Sequence, residues 1–332
     1  MTVVRASPGR PAPATQEGLD VVTFGEAMVG FVADDGLDLA LSQRFARQVV
    51  GAEANVATGL ARLGRRVGFF GRVGTDALGD SIVRGLQAEG VDVSRVVRDA
   101  TRRTGVLLRD VWVERPIQVA YYRSDSAGAA LGSGDIDGSY VRSARLLHLT
   151  GITAILSDSA WECTRAVVEA ARESGVAVVF DPNLRRSLCT DEVAIPRLRD
   201  LAALCNVVLA GLDEVVALTG ERDTEAGARA ILASGPALVV VKDGARGSWA
   251  FDRDQYWHQP VFPVTATDPV GAGDAFAAGF LHAWLDSPSV PGALTTAAIT
   301  SALCVATRGD SAGLPFADDV TALEAGETDV RR

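Results

Sequence analysis

The sequence predicts an α/β fold with a mostly parallel central sheet and a small β-sheet lid, and three observations carry that prediction. Short apolar runs of strand length alternate with helix-periodic segments along most of the 332 residues. Several helical segments close on a glycine, the residue that most readily takes the left-handed conformation at a helix end. Between residues 104 and 122, two β-rich runs adjoin with no helix between them. Strands alternating with helices of 10 to 18 residues are the pattern of parallel strands covered on both faces.

Taken in order, Asp20–Phe24 is an apolar run stopped by Gly25, and Ala52–Leu63 carries helical periodicity closed by Gly64. Val67–Phe70 is the next strand and Asp76–Ala88, bounded by Gly90, the next helix. Thr104–Val113 and Ile117–Tyr122 flank a turn containing Arg115 and Pro116, a hairpin suited to cover a site from which water must be excluded. From Arg145 the rhythm resumes with strand Leu146–Leu149, helix Ser157–Ser174, strand Val176–Phe180, helix Glu192–Leu204 and strand Val207–Leu209. Helices at 213–219 and 224–234, strand Leu238–Val241, two short β runs near 248–262, and helices Ala272–Leu285 and Gly292–Thr307 complete the chain. No repeat, low-complexity tract or linker divides it. The reading is therefore one domain over 19–316, with its lid mainly at 30–48 and 104–123, a disordered tail at 1–18 and a second tail at 317–332.

Composition narrows the partners. A hydrophobic fraction of 48% and positive mean hydropathy supply one large core, or a core and a small accessory domain. A formal charge of -10 gives no general attraction to nucleic acid or anionic lipid, so neither is expected as a partner. The longest apolar runs are strand-sized, well short of the roughly 20 residues that span a bilayer. The first 18 residues lack the apolar core of a secretory signal. A soluble cytoplasmic protein is expected. Cys163, Cys189, Cys205 and Cys304 have no C-x-x-C spacing and no nearby His, so they read as small apolar residues. His148, His258 and His282 are too scattered for a metal set and read as structural.

The segment Asp268-Pro269-Val270-Gly271-Ala272-Gly273-Asp274-Ala275-Phe276 runs directly into an apolar helix. Glycines in a turn that opens a helix point backbone N–H groups at an anion, and the helix dipole adds positive potential there. The same potential favours an ionised Asp274, which then accepts a hydroxyl proton during phosphoryl transfer. A plainer reading is a tight turn with Asp274 as a helix cap. The segment is no dinucleotide fingerprint, because Phe276 replaces the third glycine, and Lys242, the only lysine, belongs to no Walker loop. Lys242-Asp243-Gly244-Ala245-Arg246-Gly247 follows a strand, where open α/β sheets bind ligands, although a β-turn accounts for it equally well. Arg123 and Arg185 have the planar fork that holds a carboxylate or phosphate, against the plainer reading of solvated surface charges.

The nine-residue string resembles the C-terminal signature of the ribokinase-like (PfkB) carbohydrate kinases, D-T-x-G-A-G-D-x-F. The family's N-terminal signature is similar to Gly51-Ala52-Glu53-Ala54-Asn55-Val56-Ala57, Leu63-Gly64, Gly71-Arg72-Val73-Gly74-Thr75-Asp76 and Gly79-Asp80. The resemblance covers roughly 20 to 316 and departs at Val50, for the first Gly of a usual pair, and at Pro269, for the usual Thr. It implies a three-layer α/β/α domain, ATP and Mg2+, a monovalent cation as a further candidate, and homo-oligomers paired through lid sheets. Tyr121-Tyr122-Arg123, Ser126-Ala127-Gly128, His148 to Ile152, Asp181-Pro182-Asn183-Leu184-Arg185 and Arg308-Gly309-Asp310 resemble the subgroup of 2-keto-3-deoxygluconate kinases. Leu107 stands where that subgroup can present Tyr.

By this resemblance Asp274 is the catalytic base, with Gly271, Ala272 and Gly273 as the anion-stabilising turn. Gly51, Asn55, Tyr121, Arg123, Ile152, Arg185, Asp274 and Asp310 are expected at the sugar. Asn183, Arg185, Lys242, Gly244, Gly247, Gly271 and Gly273 are expected at ATP, and Glu214 is expected to organise magnesium through water, although Gly211 replaces the Asn of the family's N-x-x-E pattern. The expected reaction phosphorylates the primary hydroxyl of a sugar acid. A fructokinase or ribokinase acting on a neutral sugar, and a sugar-binding regulator without turnover, are the alternatives.

Overall fold

The structure is a computed structural model that describes residues 18–112, 115–286 and 289–326; the predicted N-terminal tail up to residue 17 lies outside them. The chain opens with β1 (Leu19–Phe24), β2 (Met28–Ala33), β3 (Phe45–Val50), α1 (Ala52–Arg62), β4 (Val67–Gly74), α2 (Ala77–Ala88) and β5 (Asp92–Asp99). It continues through β6 (Val106–Arg109), β7 (Val119–Tyr122), α3 (Gly138–Arg142), β8 (Ala144–Thr150), α4 (Gly151–Leu156), α5 (Asp158–Glu173), β9 (Ala177–Asp181) and α6 (Asp191–Leu204). The last third holds β10 (Val207–Gly211), α7 (Leu212–Thr219), α8 (Thr224–Ser234), β11 (Leu238–Lys242), β12 (Ser248–Phe251), β13 (Tyr256–Gln259), α9 (Ala272–Asp286), α10 (Val290–Val305) and α11 (Ala317–Glu324).

Nine strands form one sheet in the order β13-β12-β11-β10-β9-β8-β1-β4-β5. It is parallel from β5 to β11, and β12 and β13 add on antiparallel. The central strands are apolar on both sides because both faces are covered. Val22, Phe24, Leu147, Leu149, Val178 and Phe180 enter one core with α3 to α8, while Val21, Leu146 and Val179 enter the other with α1, α2, α9 and α10. Three layers follow from that alternation. The chain runs outward from β1 to β4 and β5, then returns to place β8 on the other side of β1, so the order reverses there. A reversal of this kind opens a crevice at the carboxyl ends of the strands.

A second sheet, β3-β2-β6-β7, stands over those carboxyl ends. The predicted hairpin is its β6–β7 pair, with Val106 opposite Tyr122, and β2 and β3 pair antiparallel from Met28–Val50 to Ala33–Phe45. Asp76 fastens the lid to the main domain: it caps α2 through Gly79 N–H at 2.8 Å and accepts from both the N–H and the hydroxyl of Thr104, where the lid begins.

Helices α3 and α4 were not read from the sequence, and two further elements depart from it. Strand β5 was not expected because D-V-S-R-V-V-R-D has the polar, half-exposed character of a sheet edge. Residues 317–324, expected within a tail, form α11: Val320 packs with Leu63 and Ile299, and Thr296 Oγ1 donates to Glu324 Oε1 at 2.8 Å.

Candidate active site

A cavity of ≈ 710 Å³ lies at the carboxyl ends of β9, β10 and β11, between the start of α9 and the lid. That size suits small-molecule and cofactor sites, which occupy roughly 300 to 1,000 Å³. Among the predicted residues, Gly51, Asn55, Tyr121, Arg123, Ile152, Asn183, Arg185, Glu214, Lys242, Gly244, Gly271, Gly273, Asp274 and Asp310 all line it. Gly247 and Ala272 do not. A Cβ at 247 would collide with the carbonyl of Gln259, so Gly247 serves the turn into β12 rather than the cavity. Ala272 N–H reaches back to Pro269 O at 3.4 Å, which takes it out of the expected anion-facing set.

Asp274 sits in the first turn of α9 and is held by Asn55, whose Nδ2 donates to Oδ2 at 2.7 Å. Burial is the largest influence on it. It outweighs the Asn55 hydrogen bond and the charges of Arg185 and Lys242, and Asp181 adds to it, so the carboxyl is pushed up to about 7. The helix-end potential therefore does not keep Asp274 at an ordinary carboxylate value, as the sequence reading expected. A base poised near neutrality is well matched to proton transfer from a hydroxyl. The N–H groups of Gly271 and Gly273 belong to the helix entry, where the first N–H groups have no intrahelical acceptor. Gly271 adopts φ +84, and its Cα packs directly against the carbonyl of Asp310. Gly51, at φ 135, lets the start of α1 approach the carbonyl of Glu26.

Opposite the α9 entry, Lys242 Nζ binds Asp181 Oδ2 at 2.5 Å. The carboxylates of Asp181 and Glu214 offset burial of the ammonium and hold the lysine above its usual value. Glu214 accepts from Gly211 N–H at 2.7 Å and from Leu184 N–H at 2.8 Å, so it joins the loop after β9 to the start of α7. Asn183, at φ 38, turns that loop so that Arg185 stands exposed at the cavity rim.

The lid wall is more heavily paired than the sequence suggested. Arg123 is buried, its guanidinium bridges the buried carboxylate of Glu26, and it lies 5.7 Å from the Tyr121 ring. Its Nε has no hydrogen-bond partner. The fork expected to wait for a substrate anion is thus partly neutralised by Glu26, while Arg185 makes no ion pair among the described residues. Glu53, quoted in the N-terminal motif without a role, is buried and accepts from Thr150 and Thr153 hydroxyls at 2.6 and 2.7 Å, locking α1 to the end of β8. Asp181 was equally visible in its motif and equally unassigned. Arg109 and Glu26 carried no sequence signal at all.

His148 is buried against Thr23 with its ring pushed down to about 3 by burial, and neither it, His258 nor His282 lines the cavity. Cys163 and Cys304 thiols are pushed up to about 12 by burial, which suits inert core residues. No helix of the described residues is long and apolar enough to cross a membrane.

A half-buried carboxyl in the first turn of a helix, lining a cavity beneath a β lid on a three-layer α/β/α domain, is an arrangement suited to a small-molecule phosphotransferase. Residues 19–317 match the model of the pfkB family carbohydrate kinases, and the chain belongs to that family. It is 37% identical to a 2-dehydro-3-deoxygluconokinase of Bacillus subtilis, over 95% of this chain and 98% of that one. A 2-dehydro-3-deoxygluconokinase of Thermoproteus tenax is 36% identical over 94% of this chain and 95% of its own. The crystal structure of a PfkB protein from Polaromonas sp. JS666 superimposes with a TM-score of 0.84 at 40% identity, covering 92% of this chain and 99% of that one.

Proposed function

We propose that the protein transfers the γ-phosphoryl group of ATP to the primary hydroxyl of 2-keto-3-deoxy-D-gluconate, giving 2-keto-3-deoxy-6-phosphogluconate. The observation that carries this reading is Asp274, half-buried at the cavity where α9 starts, with one carboxylate oxygen held by Asn55 and the other left for a hydroxyl. Asp274 draws the hydroxyl proton, and the Gly271 and Gly273 N–H groups stabilise the charge that develops on the transferring group. Lys242, whose Nζ lies 3.7 Å from the position a Cβ at 273 would take, adds positive charge beside that turn.

Magnesium, when bound, neutralises charge on the phosphoryl oxygens. Among the described residues no group of three or more His, Cys, Asp or Glu forms a direct cage. The donors present, Glu214 with Asp181 beside it, fit an ion held mainly by phosphate and water, as magnesium usually is.

The keto-acid assignment rests on the two relatives named above and on Arg185, the cavity-lining arginine that makes no ion pair among the described residues. Arg185→Ala is expected to lower kcat/KM for the keto acid by about 10- to 100-fold, the loss of one charge-assisted fork. Fructose, which carries no carboxylate, serves as the comparison in steady-state assays. An equal loss on both substrates would remove Arg185 from the acid group and favour a role toward ATP alone.

The lid also supports a homo-oligomer, because Tyr122 and Leu41 are each 66% exposed and Val119 is 38% exposed. Sedimentation at micromolar concentration is expected to give a dimer or larger species; a monomer alone would contradict this.

A further inference from the structure

A buried ion cluster ties the lid to the turn that opens α9. Arg109, the last residue of β6, is 1% exposed. Its Nε and one terminal nitrogen donate to Asp310 Oδ1 at 3.0 and 2.8 Å, and that nitrogen also donates to Asp268 Oδ2 at 2.6 Å. The other terminal nitrogen donates to the Asp110 carbonyl at 3.2 Å and to Asp268 Oδ1 at 3.4 Å. Asp268 accepts in addition from Val270 N–H at 3.1 Å and Gly309 N–H at 2.9 Å. One guanidinium thus fixes the two loops, 268–271 and 309–310, that meet where Gly271 packs against Asp310.

Stability alone is a poor account of this cluster. A buried ion group replaced by apolar residues of similar volume is often no less stable, whereas losing one partner leaves uncompensated charge. Without Arg109, two buried carboxylates would share the site, and like charges in low dielectric repel strongly. The loop between them would then open, and with it the N–H groups of Gly271 and Gly273.

We infer that Arg109 is a positioning residue: the lid supplies, as a guanidinium, the cation that holds the anion-facing turn in shape, so turnover needs Arg109 and no monovalent metal ion. This rests on the phosphoryl-transfer reading above. The monovalent cation among the resemblance's expectations does not fit here, because a side-chain cation already spans Asp268 and Asp310.

The test compares wild type and Arg109→Met in ADP release, in potassium chloride and in tetramethylammonium chloride, with thermal midpoints read in both salts. Wild type is expected to show the same rate and the same midpoint in the two salts. Arg109→Met is expected to lose about 100-fold in kcat with KM for ATP little changed, the cost of a displaced catalytic turn, and to regain part of it with millimolar methylguanidinium. Arg109→Lys, which keeps the charge without the fork, is expected to fall between the two and covers the case in which the methionine variant does not fold. A wild type that needs potassium, or a methionine variant with wild-type kcat, overturns the inference. So does a loss that no added cation relieves and that follows the midpoint in both variants. A wild type inactive on every sugar in either salt would instead contradict the function, leaving the midpoint comparison to decide the role of Arg109.

Discussion

Asp274→Asn is expected to lower kcat by about 10³-fold, the upper part of the range for removing a general base. Its fold should be retained, because Asn at 274 still offers an oxygen to Asn55 Nδ2. The pH dependence follows from the environment of the wild-type carboxyl. Burial raises it to about 7, so activity requires the deprotonated form and kcat/KM should climb with pH to a plateau above about 7. The same shift has a stability consequence of fixed sign. A carboxyl whose folded value lies above its unfolded 3.8 binds a proton more tightly when folded, so wild-type stability is progressively lost from about pH 4 to about pH 7 and stays lower above it. Asp274→Asn is spared that loss. Its thermal midpoint should match wild type near pH 4 and exceed it at pH 8, so an inactive variant that melts later is the expected signature. A variant that melts earlier at pH 8 would show Asp274 to be an ordinary structural cap.

Gly271→Ala is expected to cost about 10²- to 10³-fold in kcat, the scale of losing one preorganised N–H donor. Position 271 adopts φ +84, and a Cβ there meets the carbonyl of Asp310. Either the turn or the 309–310 loop must move, and the backbone strain alone is worth about 1 to 3 kcal/mol. Gly64 is the control: it adopts the same φ +84 with nothing within 4 Å of an added Cβ. Gly64→Ala should therefore lose stability without losing rate, and steady-state kinetics beside thermal melts separate the two. Equal kcat values for both variants would mean that the 271 turn does not contact the reacting phosphoryl group.

Much of this architecture was legible because both faces of the central sheet are buried, which writes β1, β8, β9, β10 and β11 as continuous apolar runs between amphipathic helices. The α9 entry was legible for a local reason, since its glycines and Asp274 are adjacent in sequence. What escaped was non-local or polar. Strand β5 alternates charge with valine and looks like a loop. Helix α4 follows β8 at once, opening at Gly151 with Thr150 as its cap, and was not read from the sequence. Arg109 meets Asp268 and Asp310 across 159 and 201 residues, and nothing near it in sequence announces a partner. Arg123 looked available because Glu26, which pairs with it, lies 97 positions away. Chemistry borne by contiguous motifs could thus be assigned in advance, whereas the charge balance of the lid wall could be assigned only from the fold.

The most direct test of the central claim is coupled ADP release with ATP and magnesium across 2-keto-3-deoxygluconate, its galactonate-derived epimer, fructose and ribose, with Asp274→Asn as the blank. The account predicts turnover concentrated on a keto-deoxy acid and abolished in the blank. Preference for fructose or ribose would keep the kinase and contradict the acid substrate, while ADP release undiminished in the blank would contradict the role given to Asp274.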